Sequence, residues 1–171
     1  MMHIINSMSQ SAISIAALGF LLPAISGPAP EEFWKIIDKL STTAPLGVKA
    51  VSEIWPGKSL GTAIAQSKSP LNINTGPFDI GPGLQAKGSE IRIAKNDRVK
   101  LIIIRIEGNC ITPSDIKQRY PLNKSGDFPQ PNNPDPVSYR VVESKNLEIS
   151  FGFRGPSPGC LTHVVFNPDP S

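Results

Sequence analysis

Groups that ligate metals or attack substrates are scarce in this chain. Its 171 residues hold two cysteines and two histidines, and one of the histidines, His3, sits in the leading segment. Cys110, Cys160 and His163 remain, one short of the four nitrogen and sulfur ligands of a structural zinc site. A Ser–His–Asp triad has to use His163, and no Gly-x-Ser-x-Gly nucleophile turn accompanies it. Gly57-Lys58-Ser59 has the last letters of a phosphate loop, but Ser52 stands where the upstream glycine belongs. Gly81-Pro82-Gly83 lacks the downstream Gly-Lys-Ser/Thr. Glu31 and Glu32 open a helix, and Asp127, Asp135 and Asp169 fall in loops or the tail. No pair of carboxylates is set apart to flank a glycosidic bond. The net charge of +3 comes without a basic stripe, which argues against nucleic acid as a partner. These absences predict a protein that is not an enzyme and carries no cofactor and no metal.

Residues 1–26 contain no Lys, Arg, Asp or Glu. Their apolar stretch from Ala12 to Ile25 is short of the about 20 residues a membrane helix needs and fits the core of a secretory signal. Ala24 and Ser26 are small residues at the −3 and −1 positions of a cut before Gly27. The expectation is a signal peptide over 1–26 and one domain over 27–171, periplasmic or secreted, with no stable membrane span after processing. Retention of the segment as an anchor is the alternative, because the basic start usual in such signals is missing. In an exported chain two cysteines pair by default. A Cys110–Cys160 bridge then stabilises the fold by about 4 kcal/mol on the chain-entropy account; two buried thiols are the other reading.

Periodicity predicts an amphipathic helix over Pro30–Thr42, with Phe33, Trp34, Ile36, Ile37 and Leu40 on one stripe, and a short helix over Val48–Trp55. Residues 58–70 stay open between strand and loop. Extended segments follow at Leu71–Ile80, Glu90–Ala94 and Val99–Ile106. In the last of these, Ile102, Ile104 and Ile106 oppose Leu101, Ile103 and Arg105, as in a central strand. Thr112 reads as an N-cap, with Pro113 and Asp115 in the first helical turn. Pro121–Pro136 reads as a long loop. Strands at Ser138–Glu143, Leu147–Phe153 and Leu161–Phe166 complete an α+β fold, a mostly antiparallel sheet with helices on one face.

The order of elements contains a candidate duplication. Val51, Trp55 and Pro56 are spaced like Ile116, Tyr120 and Pro121, each set is followed by a Lys-Ser pair, and each leads to three strands. Repeats of one helix-plus-three-strand unit would cover 48–106 and 110–167. That order resembles the tandem architecture of beta-lactamase inhibitory protein and the related small outer-membrane assembly lipoproteins, although their Gly-Met-Thr turn is missing. Cys110-Ile111-Thr112, Tyr120-Pro121, Phe151-Gly152-Phe153 and Cys160-Leu161 also resemble a pattern in uncharacterised exported bacterial proteins. The second resemblance implies no activity; the first implies, by analogy, a protein that inhibits or neutralises another.

If Cys160 points toward Cys110 at a helix start, one sheet face packs on the helices and the other stays open. The open face is expected to carry Arg92, Arg105, Glu148, Ser150, Leu161 and His163, with Phe128 on the long loop as an aromatic anchor. The functional expectation is a non-enzymatic protein-binding module whose partner is unknown. A cell-envelope assembly or structural factor is the alternative, and an enzyme using His163 comes third.

Overall fold

A computed structural model of the protein describes residues 29–43, 45–56, 59–66, 72–121, 124–127, 137–144, 147–155 and 159–168. The expected signal segment and Phe128 lie outside the described residues.

Helix α1 (Glu31–Thr42) begins after Pro30, with Glu31 and Glu32 in its first turn and Lys39 in its last, each charge matched to the helix dipole. Phe33, Trp34, Ile37 and Leu40 are buried along one stripe. Helix α2 (Val48–Ile54) buries Val51 and is capped by the N–H of Trp55, which donates to the Val51 carbonyl. Residues 58–70, left open between strand and loop, contain a third helix, α3 (Ser59–Gln66). Leu60 is buried and Ala63 packs against the core three residues on, a spacing that faces one way only on a helix. Helix α4 (Pro113–Arg119) has the anticipated start as a full capping box. The Thr112 N–H donates to Asp115 Oδ2 at 2.7 Å, and the Asp115 N–H donates to Thr112 Oγ1 at 3.4 Å.

The strands are β1 (Asn72–Thr75), β2 (Phe78–Asp79), β3 (Leu84–Ile93), β4 (Val99–Gly108), β5 (Lys124–Asp127), β6 (Val137–Ser144), β7 (Leu147–Arg154) and β8 (Cys160–Asn167). They form one sheet in the order β1-β3-β4-β8-β7-β6-β5, with β2 also on β3. Every pairing is antiparallel. The fold is therefore α+β. Each half of the chain runs from helix into antiparallel meander, and the two last strands, β4 and β8, meet at the centre from Ile102↔Phe166 to Arg105↔His163.

Two strand boundaries differ from the sequence reading. β3 starts at Leu84 rather than Glu90, because a bulge between Ala86 and Gly88 interrupts its alternation. Gly88 has φ +151, and a Cβ there would lie 2.7 Å from the Thr75 carbonyl oxygen. β5 lies inside the stretch read as a loop. Its four residues pair through the backbone with β6, from Lys124↔Val141 to Asp127↔Ser138, without the apolar alternation that marks a strand in sequence.

One hydrophobic core joins the helices to one sheet face. Phe33, Trp34, Ile37, Val51 and Ile116 meet Ile91, Ile102, Ile104, Ile149, Phe151, Val164 and Phe166. Tyr120 ties the layers together. Its ring stacks on Phe151 and meets Trp34 edge-on, each at 5.9 Å between centroids. Its hydroxyl donates to Asp38 Oδ1 at 2.5 Å, while Arg119 Nη2 donates to Asp38 Oδ2 at 2.7 Å. Burial alone would raise the Asp38 pKa, but the hydrogen bonds from Tyr120 and Arg119 outweigh it and hold the carboxyl below its usual value. Burial and the neighbouring Asp38 push the Tyr120 phenol well up.

Cys110 and Cys160 form a disulfide between chain positions 50 apart. Beside it the Leu161 N–H donates to the Ile111 carbonyl at 2.9 Å. The bridge thus fastens the approach to α4 onto the start of β8. Among the described residues no helix is long and apolar enough to cross a membrane.

Candidate functional site

The opposite sheet face carries no described element, and cross-strand register sets out its side chains in rows. One row runs Glu90, Ile103, Val165, Ser150, Val141 across β3, β4, β8, β7 and β6. On one side of it lies Arg105, His163, Gly152, Tyr139. On the other, Arg92 opposes Leu101 and Glu148 lies between Asn167 and Glu143. Leu101, Ile103, Val165 and Val141 are only part-buried and stand outside the core cluster, so an apolar band crosses the face. Alternation in Val99–Ile106 had already put Leu101 and Ile103 here.

Charge is divided across this band. Arg92 and Arg105, both more than half exposed, flank Glu90 on the β3–β4 side. Arg92 Nε donates to Glu90 Oε1 at 2.7 Å, whereas Arg105 Nη2 is 3.9 Å from Glu90 Oε2. On the β7–β6 side Glu148 directly faces Glu143. Ser150 Oγ donates to Glu148 Oε1 at 3.4 Å.

Both ring nitrogens of His163 have hydrogen-bond partners. Its Nε2 is 2.9 Å from Tyr139 Oη, and its Nδ1 is 3.1 Å from Thr162 Oγ1. Thr162 Oγ1 spends its one proton on the Gly152 carbonyl, 3.2 Å away, so it can only accept from Nδ1–H. That assigns the neutral ring a proton on Nδ1 and leaves Nε2 to accept from the Tyr139 hydroxyl. The ring lies across Gly152, where a Cβ would collide with it; glycine is the residue that admits this approach. Burial lowers the His163 pKa, and the positive charges of Arg154 and Arg105 lower it further.

The structure thus brings Arg92, Arg105, Glu148, Ser150 and His163 onto one face. Leu161 does not belong there; it is 5% exposed and part of the core. Between Gly152↔His163 and Phe153↔Leu161 the register shifts, so Thr162 is an extra residue and Leu161 turns inward with Val164. Tyr139, the hydrogen-bond partner of His163, escaped the sequence reading. Its place depends on β6 and β8 flanking Gly152, which no local pattern announces.

A separate cleft of about 800 Å³ lies between α1, α2 and the β2–β3 turn. Ile36, Ile54, Trp55 and Ile80 line it, with Lys35 and Glu53 at its rim. None of the open-face residues borders it. Among the described residues no group of three or more His, Cys, Asp or Glu is placed to hold a metal ion.

No family model matches the chain, and no curated protein matches it. Among solved structures it is similar to the crystal structure of a DUF4309 family protein, YjgB, from Bacillus subtilis subsp. subtilis str. 168. The identity is 13%, 81% of this chain and 97% of that chain are covered, and the TM-score is 0.46.

Proposed function

We propose that the chain is an exported, non-enzymatic protein-binding module that docks a partner protein on its open sheet face and thereby inhibits or neutralises it. The observation that carries this reading is the apolar band Leu101–Ile103–Val165–Val141 on a face that no described element covers. Apolar groups within a polar rim are the anatomy of an interface centre. The flanking charges add polarity: Arg92 and Arg105 lie toward the β3–β4 end of the band, Glu143 and Glu148 toward its β7–β6 end. A partner with acidic groups over the first pair and basic groups over the second would complement this division. Export is supported by the disulfide, since such bridges persist in oxidising compartments.

Size constrains the partner. Five strands about 4.8 Å apart, used over about six residues each, give roughly 20 by 20 Å. A standard interface takes about 800 Å² per partner, so the contact extends past the sheet onto neighbouring loops.

The test is affinity capture from native envelope extract with the wild-type protein and with an Ile103→Asp, Val165→Asp variant. Both positions are part-buried outside the core, and retention is compared with circular dichroism and disulfide content matched to the wild type. The expected result is one stoichiometric partner held by the wild type and lost by the variant. Equal retention by both proteins would sink the open-face reading.

A further inference from the structure

We infer that the open face recognises a carboxylate side chain of its protein partner at the corner formed by Arg105, His163 and Tyr139. This deepens the docking reading and rests on it.

The geometry comes from three strands. Arg105 on β4 is the register partner of His163 on β8, which sets their Cβ atoms roughly 5 Å apart. Tyr139 on β6 reaches His163 across Gly152 of β7, with the rings 5.3 Å apart and inclined at 72°. Arg154 is two residues beyond Gly152 on the same face of β7, close enough to act on the imidazole. Among the described residues Arg105 lies 3.9 Å from Glu90, which Arg92 already binds at 2.7 Å, and Glu107, two residues along β4, is bound by Lys87 at 2.9 Å. Positive charge therefore predominates at this corner. A guanidinium fork suits a carboxylate, and the apolar row beside it (Ile103, Val165, Val141) suits the body of a docked polypeptide better than a free ion.

The hydrogen bonds supply a proton switch. In the neutral ring Nε2 accepts the Tyr139 proton, so the phenol has none to offer outward. When the imidazole takes a proton from solvent, Nε2–H donates to Tyr139 Oη, and the phenol hydrogen turns out toward the incoming carboxylate. The acid then receives a hydrogen bond from Tyr139 and a charge-assisted one from Arg105, while the new imidazolium gains a counter-ion. Docking of a carboxylate and protonation of His163 favour each other. Among the described residues the charged and titratable groups facing this ring are Arg105, Arg154 and Tyr139, with Glu90 and the Lys87–Glu107 pair further out.

The experiment follows the His163 ring by NMR across a pH titration of the oxidised protein. The probes are a hexaglutamate peptide, a hexaglutamine peptide and sodium chloride at matched ionic strength. With hexaglutamate the pKa of His163 should rise by about one unit. The peptide should bind up to about tenfold more tightly at pH 5 than at pH 8. Arg105→Gln should raise the pKa of the free protein, because a repelling charge is gone, and should remove most of the peptide-induced rise. Tyr139→Phe should weaken hexaglutamate binding chiefly at low pH. An equal rise with hexaglutamine or chloride, or an undiminished hexaglutamate effect in Arg105→Gln, would overturn the inference. Should the Ile103→Asp, Val165→Asp variant lose the captured partner while hexaglutamate leaves His163 unmoved, the docking reading stands and the carboxylate inference fails.

Discussion

Replacing Gly152 with alanine tests the open-face geometry most directly, because the structure fixes the sign of the effect in two backgrounds. A Cβ at position 152 would collide with Cε1 and Nε2 of the His163 ring and come within 2.9 Å of its Nδ1. The strand backbone is held by register on both sides, so the ring has to swing out. It then loses its contacts with Tyr139 Oη and Thr162 Oγ1. Two such bonds are worth about 2 kcal/mol together. Relief of the glycine penalty within a strand returns about 0.5–1 kcal/mol. The expected net loss is therefore about 1 kcal/mol, a fall in Tm of roughly 2–4 °C. In a His163→Ala background the obstacle is gone, and the same Gly152→Ala change should stabilise by about 0.5–1 kcal/mol. Urea unfolding of the four proteins gives the coupling, expected near 2 kcal/mol. The pH dependence offers a second check. The folded-state pKa of His163 is depressed, so as pH falls below about 6.5 the unfolded chain takes the proton first. The stability this group contributes is present above that pH and is lost as pH falls from there to its folded value. Gly152→Ala, with the ring in solvent, should flatten that loss. Additive single-mutant effects with an unchanged His163 titration would refute the placement of the ring over Gly152.

Two further outcomes concern the helix side. Tyr120→Phe keeps the stacking on Phe151 but removes the hydrogen bond to Asp38, and should cost about 1–2 kcal/mol in urea unfolding at pH 7. Because the Asp38 pKa is lowered in the fold, its contribution is present above about pH 3.9 and lost as pH falls through the folded value; the variant should lose less over that acid range than the wild type. Cys110→Ser with Cys160→Ser should cost about 4 kcal/mol on the chain-entropy account, read as a lower urea midpoint. Reducing agent should reproduce the loss in the wild type, since Cys160 is exposed.

What the sequence made legible follows from whether the determinant is local. Thr112, Pro113 and Asp115 make a capping box within four residues, so the start of α4 could be read directly. β7 alternates Leu147, Ile149, Phe151 and Phe153 against smaller or charged residues without a break, and it was read within a residue of its observed span. The misses sit where a neighbouring strand supplies the reason. Gly88 breaks the alternation of β3 because the Thr75 carbonyl comes close, and the extra Thr162 turns Leu161 inward. β5 is specified by backbone pairing to β6, which leaves no apolar signature. The same logic divides the site: Arg105, His163 and Ser150 followed from counting along strands, whereas Tyr139, two strands from β8, entered across a glycine on the strand between.

The central pairing of β4 with β8 makes the final strand a keystone. During synthesis, β4 and β7 each present a bare edge until residues 160–167 arrive. Meanwhile Cys110 waits without its mate. Both hazards, sheet-edge association and mispaired sulfur, are resolved by one event, the insertion of β8. A chain stopped before Cys160 should therefore collect as aggregates or mixed disulfides rather than as a slightly weakened monomer.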